Sequence, residues 1–528
     1  MWRKVKSFIH RENSVLFASG ILILSTTLSN VLGLFRDHFL ARNVSTYDLD
    51  IYYAAFRIPD LIFNILIFGA ISAAFIPVFT SHVSNNEEKD AWHLTNSLIS
   101  ISVVVLVFLA VIGYIFMPLI SPLIVPKFSA ERLSLTIKLT RILMLTPIFF
   151  SVSYFLGGVL NSYKRFVAYS FAPLVYNLSI IFGAIFLAPK FGISGVVYSV
   201  VFGSFLHMLV QFPTAINLGF TPKVIFDLKM PSVLKVLKLM IPRAIGMGAS
   251  NIMLVIYTAI SSALAVGSIA VFNLANNIQT MPTVVFATSF STAIFPTLAH
   301  KFSTGDHETF SSYISRSARV IFYLLAPSTV IFILLRAQII RLILGSGKFG
   351  WQDTKMAALT LGWFSVSLIA QGLIPLFSKA FYAKHDTKTP TILSVISITV
   401  GVIVAYPLSK KMGVAGLAAA FSLGSYINLL LLFAFLNRST KNIFNIETFL
   451  SLAKIVFSSF LMALAVRASA HYFYNLVDMQ RFLGVLAQSF LATFVGVIVY
   501  LTITYLLNSE ELNWATRRRV NDEKIKKN

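Results

Sequence analysis

The sequence predicts an all-α polytopic membrane protein with about fourteen transmembrane helices, because a helical bilayer span needs roughly 20 mostly apolar residues. Of the 528 residues, 57% are hydrophobic and only 12% are charged, whereas soluble domains carry about a quarter charged residues. Apolar windows of spanning length also follow one another from residue 14 to residue 507. A soluble globular protein is therefore excluded.

Charged, polar, Pro- or Gly-containing stretches separate these windows and are predicted to be loops. In chain order, the predicted spans are 14–36, 56–80, 93–117, 135–160, 167–188, 193–213, 237–264, 270–297, 320–336, 357–382, 390–408, 414–436, 449–468 and 482–507. The first is too long for the apolar core of a signal peptide, so we interpret it as helix 1.

The net charge of +23 would suggest nucleic acid as a partner of a soluble protein. Here, most of the 43 Lys and Arg residues lie in the termini and loops that face the cytoplasm if the N-terminus is inside. By the positive-inside rule, both termini are predicted to be cytoplasmic. Because the basic residues are scattered over short loops, we expect no nucleic-acid partner.

No enzyme signature is present, so a transporter is expected. The stretch Gly345-Ser346-Gly347-Lys348 lacks the earlier Gly and the following Ser or Thr of a phosphate-binding loop. The sequence has no Cys, which excludes thiolate metal sites and thiol catalysis. The histidines show no metal-ligand spacing. We therefore expect no catalytic residue, no metal and no cofactor.

An internal repeat is indicated by residues that recur about 220 positions later. The recurring sets are Gly192, Gly195, Gly203, Ser204, Lys127-Phe128, Tyr163 and Pro77, followed by Gly413, Gly416, Gly424, Ser425, Lys348-Phe349, Tyr382 and Pro296. Since an even number of spans separates the copies, they are predicted to be two six-helix lobes related by an axis along the membrane normal. Close helix packing is an alternative explanation for the glycines, and it is compatible with a repeat.

The predicted organisation follows from this repeat. It comprises an N-terminal lobe at 1–213, a basic cytoplasmic linker at 214–236, a C-terminal lobe at 237–436, two further helices at 437–507 and a basic cytoplasmic tail at 508–528. Helices 13 and 14 fall outside the repeat, so they are expected to serve a separate purpose.

The most informative polar residues are charges at the ends of apolar helices. Helix 1 ends in Arg36-Asp37, and helix 2 begins with Arg57 and Asp60, with Asn64 one turn deeper. Ionisable groups at membrane depth are costly and usually face a cavity, and a three-residue spacing places Arg57 and Asp60 on one helix face. The alternative is an interfacial salt bridge that anchors the helix ends.

The repeat offset carries Arg57 to Asn276 and Asp60 to Gln279. The amides of this second patch, all in predicted helix 8, are Asn273, Asn276, Asn277 and Gln279. We predict that the two patches line a central cavity for a head group with sugars, amides and phosphates, because amides donate and accept hydrogen bonds and Arg pairs with phosphate. Hydrogen bonding between helices alone is the alternative.

A series of short motifs extends through nearly all of the two lobes. They are Val31-Leu32-Gly33, Arg36-Asp37, Asp50, Ala55-Phe56-Arg57-Ile58-Pro59, Ala74-Phe75-Ile76-Pro77, Asn161, Arg165-Phe166, Phe171-Ala172-Pro173, Gly347-Lys348-Phe349, Phe381-Tyr382, Asp386 and Lys388-Thr389-Pro390. In these motifs the chain resembles the MurJ lipid II flippase family of the multidrug, oligosaccharidyl-lipid and polysaccharide exporter superfamily.

The resemblance implies a flippase of the bacterial inner membrane that works by alternating access. A lipid-linked oligosaccharide head group would enter from the cytoplasmic side and leave outside, while its undecaprenyl tail stays in lipid along a groove beside helices 13 and 14. It also implies membrane lipid as a partner, cell-wall synthesis proteins as possible partners and a monomeric state. Arg36, Asp37, Asp50 and Arg57 match the family's substrate-site pattern.

The chain also departs from the family. Where the family commonly carries cavity arginines, this sequence has Asn30, Phe63 and Asn277, and predicted helices 7, 11 and 12 lack the acidic residues of the sodium site described for some relatives. Head group and ion coupling therefore stay open. The alternatives are an undecaprenyl-linked polysaccharide exporter, a drug/cation antiporter, a membrane-bound transferase and an accessory scaffold.

Overall fold

The computed structural model describes residues 15–68, 74–440, 443 and 445–512. Within these ranges every regular element is helical, which confirms the all-α prediction. Ten of the described helices are long and apolar enough to cross a membrane, or eleven if a bent pair forms one span. The expected number of about fourteen spans is consistent with this result. The basic ends of the chain, on which the orientation prediction partly rests, lie outside the described residues.

The described residues group into two compact units. The first unit lies within Met1–Ala270 and Ser346–Phe349. The second unit lies within Val271–Gly345 and Gly350–Asn528. The helices up to Ser261 are α1 Val15–Asn43, α2 Thr46–Phe63, α3 Ile76–Ser84, α4 Glu88–Ile124, α5 Ala130–Leu143, α6 Thr146–Ser162, α7 Phe166–Phe182, α8 Ala188–Phe191, α9 Ile193–Leu209, α10 Phe212–Asn217 and α11 Pro231–Ser261.

The later helices follow the same pattern of long, mostly apolar segments. They are α12 Ser268–Pro282, α13 Ser289–Ser303, α14 His307–Leu334, α15 Arg336–Ile343, α16 Trp351–Val366, α17 Leu368–Ala383, α18 Lys388–Met412, α19 Val414–Ser439, α20 Ile446–Tyr474 and α21 Phe482–Leu506. Among the described residues, π-helical segments interrupt or join them at Asn64–Phe68, Gly183–Leu187 and Thr283–Thr288.

Helices 1 and 2 extend beyond their predicted boundaries. Helix α1 continues to Asn43, and α2 begins at Thr46, where the Ser45 hydroxyl accepts a hydrogen bond from the backbone N–H of Asp48 (3.2 Å). Apolar windows end at the first charges, but polar residues continue the helices here because the cap and tertiary partners satisfy them. Asp50, which the prediction left before helix 2, is therefore part of α2.

Each unit has its own apolar core. In the first unit, Phe155 of α6 meets Phe75 edge to face, with ring centroids 5.1 Å apart, and both side chains are fully buried. In the second unit, Gly372 of α17 lies directly against Leu325 of α14, where a Cβ would overlap the leucine side chain. The glycine therefore permits the close approach of these two helices.

The local structure of the two copies agrees with the predicted repeat. Gly192 and Gly413 both precede a helix and both have φ of +60°, a conformation that favours glycine. Three residues on, a Cβ would collide with the backbone carbonyl of Leu187 at Gly195 and with that of Leu408 at Gly416. The same glycines thus perform the same task in each copy.

The helices that carry the polar patches also match. Helix α2 passes into the π segment Asn64–Phe68, and α12 passes into Thr283–Thr288. Helices α3 and α13 come after these segments, and near the end of each a base pairs with an acid five residues later. His82 Nδ1 lies 2.7 Å from Glu87, and Lys301 Nζ donates to Asp306 at 2.9 Å. Local geometry therefore supports the duplication, and the predicted symmetry axis stays a prediction.

In the second unit, a buried ion pair fastens the last described turn of the chain. Arg319 of α14 donates from Nε to Glu511 (2.6 Å), and the hydroxyls of Ser451 and Ser509 donate to the same carboxylate (2.5 Å each). Burial raises the pKa of Glu511, but these hydrogen bonds and the Arg319 charge outweigh it and lower the pKa. The segment after α21 is therefore bound to α14 and α20, and we call this contact the C-terminal clasp.

Candidate substrate site

The predicted Arg-Asp pair at the end of helix 1 lies inside the first unit. Asp37 is 1% exposed and accepts hydrogen bonds at Oδ1 from Nε (3.0 Å) and Nη2 (2.9 Å) of Arg36. Nη1 of Arg36 donates to the Asn177 side chain of α7 (3.2 Å). Asp37 holds the edge formed by Nε and Nη2, and Asn177 holds Nη1. These bonds leave further N–H groups of the guanidinium for a ligand.

Asp50 is more deeply enclosed than the sequence suggested. It is 2% exposed and accepts hydrogen bonds from Arg132 Nη2 (2.9 Å) and from the backbone N–H groups of Gly267 (2.7 Å) and Ala270 (2.9 Å). The guanidinium carbon of Arg132 lies 3.8 Å from the ring centroid of Phe128. Protein donors surround this carboxylate. Asp50 therefore connects α2 to α5 and to the start of α12.

Arg57 also has a tertiary partner. It is 8% exposed, and its Nε donates to the hydroxyl of Thr258 in α11 at 2.6 Å. The three-residue spacing placed Arg57 on one helix face with Asp60, and this hydrogen bond connects Arg57 to another helix. Arg57 is therefore oriented by α11.

One turn deeper, Asn64 links α2 to α11. Its Nδ2 donates to the backbone carbonyl of Asp60 (2.8 Å) and to the side chain of Asn251 (3.2 Å). Asn30 on α1 differs, because its Nδ2 is buried without a hydrogen-bond partner among the described residues. A buried unsatisfied amide costs about 1–3 kcal/mol, so a polar ligand at Asn30 would relieve that cost.

In the second unit, the predicted amides form a small network. Gln279 is fully buried, and its Nε2 lies 3.3 Å from Asn276 Oδ1 and 3.5 Å from Gln371 Oε1. Gln371 in turn donates to the Ser367 hydroxyl at 2.6 Å. Ser367 stands at the 41° bend between α16 and α17. The network therefore couples α12 to a bent helix pair.

The other amides of α12 are less enclosed. Asn273, Asn276 and Asn277 are half-buried, and the backbone carbonyl of Asn277 accepts a hydrogen bond from the Thr280 hydroxyl (2.9 Å). Gln279 is thus committed to protein partners, while the half-buried amides are the better placed to meet a ligand. Each unit carries its own polar cluster, charged in the first and neutral in the second.

Sequence reasoning missed the residues that hold these clusters. Asn177, Thr258 and Asn251 partner the first cluster, and Gln371 partners the second. Their sequence signal was a polar residue in an otherwise apolar span, but the predicted site included such residues only from helices 1, 2 and 8. The partners are far apart in sequence, so only the fold brings them together.

Among the described residues, one group has the geometry to hold a metal ion, although the sequence suggested none. Ligand atoms of His82, Glu87 and Asp90 all lie within 4.8 Å of one another. The His82 ring already contacts Glu87 through Nδ1 and Ser232 through Nε2, both at 2.7 Å. Both carboxylates are exposed. This group spans the turn between α3 and α4. It shares no residue with the polar cluster on α1 and α2.

Comparison with known proteins decides the family. The sequence model of the family described as "Lipid II flippase MurJ" matches residues 44–487. The chain belongs to the MurJ lipid II flippase family. It is 30% identical over 427 residues to the "Lipid II flippase MurJ" of Burkholderia cenocepacia, covering 77% of this chain and 81% of that relative. It is therefore a multi-pass membrane protein of a transporter family.

Solved structures agree with this assignment. A structure described as "Lipid II flippase MurJ, inward closed conformation" has a TM-score of 0.76 and 26% identity, covering 92% of this chain and 98% of that one. An inward-facing multidrug transporter of the MATE family has a TM-score of 0.67 at 14% identity, covering 80% and 98%. The second likeness shows the fold alone.

Proposed function

We propose that this chain moves lipid II, the lipid-linked peptidoglycan precursor, from the cytoplasmic to the outer leaflet by alternating access. The observation that carries the proposal is the enclosed charged cluster on α1 and α2 in a chain of this family. Charges within apolar helices are costly and are retained where they meet a polar substrate. Membership of the family supports lipid II as that substrate.

The residues of the first cluster would divide the work. Arg36, with Asp37 holding its Nε and Nη2 and Asn177 holding its Nη1, would present its remaining N–H groups to a phosphate. Arg57, oriented by Thr258, would supply a second cation. Asn30 would donate its unpartnered amide, and Asp50 would hold the helices in place without touching the head group.

The second cluster would bind the neutral parts of the head group. The half-buried Asn273, Asn276 and Asn277 offer both donors and acceptors, which suit sugars and peptide groups. Gln279 and Gln371 would fix the helix that presents them. We expect less charge-assisted phosphate binding here than an arginine at position 277 would give.

The undecaprenyl tail would lie on the last two helices. Helices α20 and α21 expose large apolar side chains, including Phe457, Phe460, Phe490 and Phe494, and such surfaces are compatible with lipid chains. We further propose that both chain ends face the cytoplasm, that the two lobes rock against each other and that the chain acts as a monomer.

The test is depletion of the protein in its host, followed by quantification of the lipid-linked intermediates on each membrane leaflet. We expect lipid II to accumulate on the cytoplasmic leaflet. Accumulation of an O-antigen-type carrier lipid instead would support the polysaccharide exporter, an alternative that the neutral Asn30 and Asn277 positions favour. If no lipid-linked intermediate accumulated, the proposal would be wrong.

A further inference from the structure

The second unit contains a cavity of about 440 Å³ beside α15, the start of α16 and the segment before α21. Its wall is mostly apolar and carries two cations. The lining residues are Ala337, Gln338, Arg341, Trp351, Thr354, Lys355, Ala358, Leu359, Met479 and Val485. This volume lies within the usual range for small-ligand sites, about 300–1,000 Å³.

The charges of the cavity are unbalanced, because no acidic residue is among its described lining residues. Arg341 uses Nη2 to contact the backbone carbonyl of Gln480 at 3.3 Å, which is a neutral acceptor. The Lys355 ammonium lies 5.4 Å from the ring centroid of Trp351, also a neutral group. The nearby Asp353 side chain accepts a hydrogen bond from the backbone N–H of Gly350 at the start of α16. It does not line the cavity. An anion would complement both cations.

The apolar wall and the exposed tryptophan indicate a lipid as the source of that anion. Trp351 is 62% exposed at the first residue of α16, at the predicted outer end of helix 10. Tryptophan is enriched at membrane interfaces, where its ring sits among head groups. Leu359, Met479 and Val485 continue the wall with side chains that could contact hydrocarbon.

We propose that this cavity binds the phosphate end of a membrane lipid at the outer end of the second unit. Arg341 and Lys355 contact the phosphate, and the first carbons of the chain lie along Leu359, Met479 and Val485. Both a phospholipid and a polyisoprenyl phosphate offer this chemistry. The site is separate from the polar clusters on α1, α2 and α12, so its occupancy is measurable without transport.

The experiment uses the full-length protein in phosphatidylcholine vesicles with one of three photoactivatable lipids: phosphatidylglycerol, a polyisoprenyl phosphate or the matching polyisoprenol without phosphate. Labelled peptides are identified by mass spectrometry. We expect a phosphate-bearing lipid to label peptides around Trp351 and Met479. Arg341→Ala with Lys355→Ala should reduce that labelling about tenfold, because it removes two charge-assisted contacts.

Two variants separate charge from folding. Arg481→Ala removes an exposed cation of the same loop, paired with Asp478 at 3.1 Å, and should leave labelling unchanged. Arg341→Lys with Lys355→Arg keeps both charges and should retain most of it. The phosphate lipid that labels more strongly identifies the source. The proposal is overturned if the polyisoprenol labels as well as its phosphate, if the double Ala variant labels normally while folded, or if inorganic phosphate alone abolishes labelling.

Discussion

Helices α2 and α12 share a backbone plan but differ in chemistry. Each has a polar patch and passes into a π segment. The next described helix, α3 or α13, ends in a turn where a base pairs with an acid. In α2 the patch contains Arg57 and Asp60, while in α12 the corresponding positions are the amides Asn276 and Gln279. The backbone features are thus shared by both copies, whereas the side chains that we propose to meet the substrate have diverged. We infer that the two halves have unequal roles in substrate recognition.

The largest expected effect comes from the charged half. Arg57→Ala should abolish complementation of a strain depleted of the protein, because it removes a cation that α11 orients within the membrane. Arg57→Lys should restore part of the activity, since it keeps the charge but loses the planar donor group.

Membrane levels of each variant, measured by immunoblot, control for expression. Arg481→Ala is the matched control, because its side chain is 83% exposed. Normal growth with Arg57→Ala as the only copy would remove Arg57 from the mechanism and weaken the comparison.

Protein donors enclose the Asp50 carboxylate, so its loss should affect stability more than substrate binding. Asp50→Ala leaves Arg132 buried and unpaired, which costs about 3–5 kcal/mol. Thermal unfolding in detergent should show a marked decrease in Tm, whereas Asp48→Ala in the first turn of the same helix should cost far less. An unchanged Tm for Asp50→Ala would contradict this expectation.

A charge added to the neutral half should make it resemble the first half in phosphate binding. Asn277→Arg places a cation on α12, and a charge-assisted hydrogen bond contributes about 1.5–3 kcal/mol. Binding of a lipid-linked diphosphate should therefore tighten about tenfold or more. Asn277→Gln, which adds length without charge, is the control. Equal binding by parent and Arg variant would place position 277 away from the phosphate.

Removing the amides should have a smaller effect. Asn276→Leu combined with Gln279→Leu deletes neutral hydrogen bonds worth about 1 kcal/mol each, so head-group binding should weaken about tenfold. Gln371→Leu alone tests whether the network acts through packing. If the double variant binds and transports as the parent does, the amides only pack, and recognition belongs to the first half.

The smallest effect concerns the shared turn. The hydrogen bond from Lys301 lowers the pKa of Asp306 to about 2. This carboxylate therefore adds stability that is complete above its unfolded pKa, about 3.9, and that is lost as the pH falls towards 2. Asp306→Asn should lower the Tm slightly at pH 6, and the difference should shrink by pH 3. A difference independent of pH would show that charge does not act there.

The sequence predicted the features that depend on local patterns. Hydropathy located the spans, and the recurring glycines indicated the duplication. The sequence did not predict the tertiary partners of the site residues. Asp50 meets Arg132, and Gln279 meets Gln371, only because the fold brings distant helices together. The π segments were also missed, since the residues of Asn64–Phe68 and Thr283–Thr288 resemble those of an ordinary apolar helix.

The C-terminal clasp has a practical consequence for mapping this protein with reporter fusions. A reporter attached after Leu512 leaves Glu511 available to Arg319. A series of progressively shorter fusions that passes upstream of Ser509 removes the acid and leaves a guanidinium without its carboxylate in α14. Loss of signal from those shorter fusions would then report a disrupted helix contact and not the side of the membrane on which the junction lies.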